Sequence, residues 1–144
     1  MYKKILVAYD GSEFSEVALN QGAGLAELCN AELHLVGILA TSTQMIPQPG
    51  LGTVDIWGME RDQIETALEA AAKRLSGQGL RVTTSIRDGN PAAQIAGCAH
   101  EWNANLVIVG HSDKGVLARW FAGSVGSGLL SDLPCNMLVA TNQT

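Results

Sequence analysis

Leu106-Val107-Ile108-Val109 is an unbroken run of apolar, mostly β-branched residues that stops at Gly110. A run with no polar alternation fits a strand buried on both faces. Strands of that kind sit in the middle of parallel sheets covered by helices. The rest of the chain must then supply flanking strands and the helices that cover them, and it does so in strict alternation.

Residues 5–9 form a first short apolar strand that ends in the turn signal Asp10-Gly11-Ser12, where Ser12 or Ser15 can cap a helix. Phe14, Val17, Ala18, Gln21, Leu25 and Leu28 then follow helical spacing, and Asn30 closes the helix. Residues 33–39 read as a second buried strand. Residues 40–58 are rich in Pro and Gly, carry few charges and show no period, so they are expected to be a long functional loop or partner surface. Residues 59–76 are an amphipathic helix, with Ile64, Ala67, Leu68, Ala71 and Leu75 on one face. Residues 80–87 alternate with period two, as a strand near a sheet edge does. Asn90-Pro91 opens a helix whose apolar face is Ile95, Ala96, Ala99 and Trp102. A helix over about 123–131 and a strand over 136–140 complete the chain. The expectation is a single α/β domain, residues 1–144, with a Rossmann-like doubly wound sheet of five parallel strands and helices on both faces.

Composition narrows the function. A net charge of −5 argues against general nucleic-acid binding, which needs a basic face, but leaves room for a nucleotide held by a few aimed donors. No apolar run is long enough to span a bilayer, and the stretch after Lys3-Lys4 is too short for a signal peptide, so a cytoplasmic protein is expected. Cys29, Cys98 and Cys135 are scattered, as are His34, His100 and His111, and no metal-binding spacing arises.

In a doubly wound sheet, ligands bind beyond the carboxyl ends of the strands where the strand order reverses. If strands one and four are neighbours, Asp10 and the segment from Gly110 converge on one crevice. Asp10 offers an acceptor for a ribose hydroxyl or a metal-bound water. Gly110 removes a side chain where backbone and ligand approach closely. Gly123-Ser124 opens the expected helix and aims backbone N–H groups and a hydroxyl at the same place. Against this, Asp10 can be a simple helix cap and Gly110 an ordinary strand-to-loop glycine. Trp120 and Phe121 are expected to seal the core beneath the loop.

Several segments, in order, resemble the universal stress proteins along essentially the whole chain. They are residues 4–12, Gly89-Asn90-Pro91, residues 106–110, Gly123-Ser124-Val125 and residues 134–139. The resemblance implies five strands in the order 3-2-1-4-5, a homodimer and a role in stress tolerance. One branch of that family binds ATP through the pattern G-x2-G-x9-G-[S/T]. Here Gly110 matches the first glycine and Gly123-Ser124 the final pair, but Asp113 replaces the second glycine. By resemblance, Asp10 lies near the ribose, Ile38 lines the adenine pocket and Val109 packs near the base, while Gly110, Asp113, Gly123 and Ser124 stand at the motif positions and Ala8, Gly115 and Val125 belong to the same nucleotide site.

A carboxylate about 4 Å from a phosphate charge repels it by ~1 kcal/mol in water and ~4 kcal/mol at an effective dielectric near 20. That is roughly one to three decades of affinity. Lys114, Arg119, Gly115 or a Mg2+ ion bridging Asp113 to phosphate can offset it. The expected function is a regulatory stress protein holding ATP, with or without Mg2+. The alternative is a nucleotide-free dimer acting through protein contacts, with Met45, Ile46, Leu51 and Trp57 as a partner surface. No nucleophile elbow or complete P-loop appears, so catalysis is expected to be at most slow ATP hydrolysis, with no catalytic residue assigned. The short apolar strand 136–140 is the expected homodimer edge.

Overall fold

The computed structural model describes residues 1–39, 45–48, 52–111 and 132–141, with backbone alone over 45–48 and 52–59. Seven strands are described: β1 (Lys4–Ala8), β2 (Glu32–Leu39), β3 (Met45–Gln48), β4 (Gly52–Asp55), β5 (Val82–Asp88), β6 (Leu106–Gly110) and β7 (Asn136–Ala140). Three helices lie between them: α1 (Glu13–Cys29), α2 (Ile56–Ser76) and α3 (Pro91–Trp102). Five strands form one parallel sheet in the order β5-β2-β1-β6-β7. In the count of the five sheet strands this is the order 3-2-1-4-5. The expected helix over 123–131, and Trp120 and Phe121 with it, lie outside the described residues.

Each helix starts and stops for a local chemical reason. Ser12 is the N-cap of α1, its hydroxyl accepting from the Ser15 N–H at 3.3 Å. Glu13 and Glu16 place negative charge at the positive end of the helix dipole. Asn90 caps α3 by accepting from the Ala93 N–H at 3.0 Å, and Pro91 fills the first turn, where its missing N–H is harmless. Asn30 and Asn103 end α1 and α3 in the left-handed conformation, which asparagine tolerates better than most residues.

Alternation along the strands divides the core into two layers. Ile5, Val7, Leu33, Leu35, Leu106 and Ile108 face α1 and α2, where Leu19, Ile64, Leu68 and Leu75 meet them. Leu6, Val36, Val107 and Val109 face the other way, onto Ile95, Ala96 and Ala99 of α3. Helices therefore cover both faces, and β6 is buried on both, as its apolar run requires. Among the described residues no helix is long and apolar enough to cross a membrane.

Two expectations need correcting. The buried face of α1 is Ser15, Ala18, Leu19, Gly22 and Ala26, whereas Phe14 is 41% and Leu28 85% exposed. The spacing of the large apolar residues misled because the buried face of this helix is mostly small residues, with Leu19 its one large member. A Cβ on Gly22 would lie 2.9 Å from Val7 Cγ2, so the helix axis rides close over the sheet. The 40–58 stretch is not wholly a loop either. β3 and β4 pair antiparallel within it, with Met45 opposite Asp55 and Pro47 opposite Thr53, and α2 begins at Ile56. A two-stranded ribbon is all edge, where proline is tolerated, so Pro47 hid a strand that it does not forbid. The partner-surface side chains Met45, Ile46, Leu51 and Trp57 lie outside what is described.

Candidate functional site

β1 sends its chain to β2 on one side, while β5 returns across the sheet to β6 on the other side of β1. β1 and β6 are neighbours, in register from Ile5 with Leu106 to Val7 with Ile108. The strand order thus reverses between them, and the crevice beyond their carboxyl ends is where α/β sheets of this kind hold ligands.

Asp10 stands at this crevice as the first residue beyond Tyr9 at the end of β1, and it is exposed. One of its carboxylate oxygens accepts from the Ser12 N–H at 2.9 Å, which shapes the turn. Its own N–H donates to Ser15 Oγ at 3.3 Å, and Ser15 Oγ donates in turn to the Ser12 carbonyl at 2.9 Å. Ser12 does the helix capping, so Asp10 is free of that duty. A carboxylate has acceptor capacity beyond one N–H, and among the described residues the Ser12 N–H is its one donor.

Gly11 occupies the left-handed region at φ 87°, and a Cβ there would come within 2.9 Å of Ala67 Cβ on α2. Both facts require glycine at this position. Gly110 is equally constrained, though by the protein itself: a Cβ on it would lie 2.1 Å from the Phe14 carbonyl oxygen. The close approach that Gly110 permits is that of the first turn of α1, which lets α1 and the Asp10 turn lie against the end of β6.

Ala8, Ile38 and Val109 come from three adjacent strands and all point to the α3 face of the sheet. Val109 is buried, while Ala8 and Ile38 are half-buried. Together they make an apolar wall beside the Asp10 turn. Gly110 therefore stands with Asp10, Ala8, Ile38 and Val109 at the carboxyl ends of the three inner strands. Asp113, Gly115, Gly123, Ser124 and Val125 lie outside the described residues.

The sequence reading missed a clamp behind the turn. The buried Tyr9 hydroxyl donates to Glu16 Oε1, and Arg74 of α2 binds the other Glu16 oxygen at 3.2 Å. Burial first, then the Glu16 hydrogen bond and charge, raises the Tyr9 phenol well above its ordinary range, so it stays protonated. Tyr9 ties β1, α1 and α2 together immediately before Asp10. An aromatic ending an otherwise aliphatic strand was the one available signal. Chemically, the described part of the crevice offers a carboxylate acceptor, an apolar wall and a rigid turn. Among the described residues no group of three or more His, Cys, Asp or Glu could hold a metal ion.

The model of the universal stress protein family matches residues 1–141. A Staphylococcus aureus protein named as a universal stress protein is 30% identical over 146 residues, covering 99% of this chain and 86% of that one. A universal stress protein crystallised in complex with cAMP superposes with a TM-score of 0.69 at 20% identity, over 99% of this chain and 98% of the other. An Arabidopsis thaliana member of the same family, with AMP bound, gives a TM-score of 0.69 at 13% identity, over 99% and 93% of the two chains. At those identities the structural likeness speaks for the fold, which is the five-stranded sheet described above. The family match over nearly the whole length speaks for descent. The chain belongs to the universal stress protein family.

Proposed function

We propose that this protein is a stress-response regulatory module that binds an adenine nucleotide, ATP with or without Mg2+, in the crevice between β1 and β6. The observation that carries this reading is the exposed Asp10 carboxylate, relieved of capping by Ser12, standing at the reversal of strand order beside the wall of Ala8, Ile38 and Val109. An acceptor next to an apolar slot suits a ribose joined to a flat base. Family members crystallised with cAMP and with AMP support an adenine nucleotide as the ligand class. In this reading Gly123, Ser124 and Val125 hold the phosphates, Gly110 and Gly115 give the loop its path, and Asp113 weakens ATP binding unless a cation bridges it. Binding is the activity assigned, and no residue is given a catalytic role.

Calorimetric titration of ATP with Mg2+ into the wild type, Asp10→Ala and Asp113→Gly tests the reading. The wild type is expected to bind, and Asp113→Gly to bind more tightly by roughly one to three decades. Asp10→Ala should weaken binding by about tenfold or more, the usual loss when a charged hydrogen-bond partner is removed. Absence of binding by all three would reject the nucleotide module. The alternative, a nucleotide-free dimer acting through protein contacts, would then take its place.

A further inference from the structure

On the α3 face, at the side of the sheet away from β6, the chain builds a polar cluster that the nucleotide reading does not use. His34 points from the middle of β2 toward two hydroxyls of β5. Its Nδ1 is 2.6 Å from Thr83 Oγ1 and its Nε2 is 2.8 Å from Ser85 Oγ. The backbone register pairs His34 with Thr83 and Val36 with Ser85, so the ring spans two same-face positions of the neighbouring strand, two residues apart. The imidazole also lies 5.3 Å from the Trp102 ring, tilted by 39°. A groove of about 300 Å3, lined by His34, Ser85, Arg87, Cys98, Glu101 and Trp102, opens the cluster to solvent.

Among the described residues β5 ends the sheet, with β2 as its one strand neighbour. We propose that His34 is a proton-operated clasp: neutral, it ties edge strand β5 to β2 through Thr83 and Ser85, and protonation under mild acidification loosens that strand.

The chemistry follows from the partners. In a neutral ring one nitrogen donates and the other accepts, so one of the two hydroxyls must donate to it. Protonation turns both nitrogens into donors, and that hydroxyl has to reverse. The new charge also meets an unfavourable field. Arg87 projects from β5 on the same side, and Lys4 of β1 lies 5.4 Å from the Trp102 ring and donates to the Trp102 carbonyl at 3.3 Å. Glu101 of α3 is the carboxylate at the rim, but Arg87 already binds it at 2.6 Å. On β2 itself, Glu32 faces Arg81 at 3.8 Å. Cys98 of α3 stays a neutral thiol because burial pushes its pKa up. Burial first, and Arg87 second, lower the affinity of His34 for a proton below the ordinary histidine range.

The sign is fixed by linkage. The folded state binds fewer protons than the unfolded chain, so the clasp contributes in full above the ordinary value of 6.5. Its contribution is lost as pH falls from there through the folded value.

Two measurements test this on the intact protein. Imidazole NMR, with signals assigned through His100→Gln and His111→Gln, should show His34 titrating below 6.5. Hydrogen exchange should show the β5 amides losing protection several-fold between about pH 7 and about pH 5.5, while those of β1 keep theirs. His34→Gln, which cannot take up a proton, should remove that pH dependence. A His34 ring titrating at or above 6.5, or the same loss of β5 protection in His34→Gln, would overturn the clasp. If His34→Gln fails to fold, the wild-type titration decides alone.

Discussion

Two glycines near the crevice show how much one missing carbon can organise. Gly11 is required by a left-handed φ and by Ala67, and Gly110 by the backbone of Phe14. The sequence pointed to Gly110 as a place of close approach, and the close approach exists, but its partner is the first turn of α1. Gly110→Ala is therefore expected to destabilise the fold by about 1–3 kcal/mol, because backbone has to move to admit the methyl group. Urea denaturation would read this as a lower midpoint at unchanged slope. The loss should be the same with and without nucleotide if packing alone sets it. Asp10 is the converse case. Its carboxylate is exposed and not the cap, so Asp10→Ala should act far more on ligand binding than on the urea midpoint. That contrast separates a residue that builds the site from one that uses it.

Among the elements, α1 departs most from its hydrophobic pattern. Its sequence places Leu25, Leu28 and Phe14 in helical spacing, yet the helix turns Ala18, Gly22 and Ala26 to the sheet and leaves Leu28 outside. Close packing over Val7 and Ile108 outweighs the burial of one more leucine, since a larger side chain at Gly22 would push the whole helix away. Ala26→Leu should thus cost about 1–3 kcal/mol by overpacking. Leu28→Ala should stay within about 0.5 kcal/mol of wild type, as surface changes usually do. The reverse order in thermal or urea melts would mean the helix is rotated. α2 and α3 behave largely as their spacing indicates: Ile64, Leu68, Ala71 and Leu75 of α2, and Ile95, Ala96 and Ala99 of α3, are buried, while Ala67 and Trp102 of the same faces are half-buried. The β3–β4 ribbon escaped notice because its local sequence, with Pro47 and Gly52, carries the signals of a loop.

At the scale of the whole molecule, the sheet of the described residues ends in two outer strands of different character. β5 is polar on its α3 face, where Thr83, Ser85 and Arg87 line up, and His34 clasps it there. β7 is short and apolar, and Val139 is 38% exposed on it. We propose that β7 pairs with a second copy to form the homodimer, because an apolar edge gains most from a partner. Val139→Arg should then shift the protein toward monomer in analytical ultracentrifugation at tens of micromolar. A wild type already monomeric there would reject the dimer.

The sequence by itself determined the alternation of the five sheet strands with α1, α2 and α3, the burial of β6 on both faces, a serine cap at Ser12 or Ser15, the stop of α1 at Asn30 and the turn before Pro91. All of these depend on local periodicity and local hydrogen-bonding chemistry, which neighbouring residues settle among themselves. Only the tertiary structure decided which face α1 buries, why Gly110 must be glycine, how Tyr9, Glu16 and Arg74 lock the turn, and that His34 bridges to β5. Each of these joins residues distant in the chain and depends on ångström-scale distances between elements. Hydrophobic spacing can name the elements that meet, but the separation at which they meet is set by close packing of the assembled core.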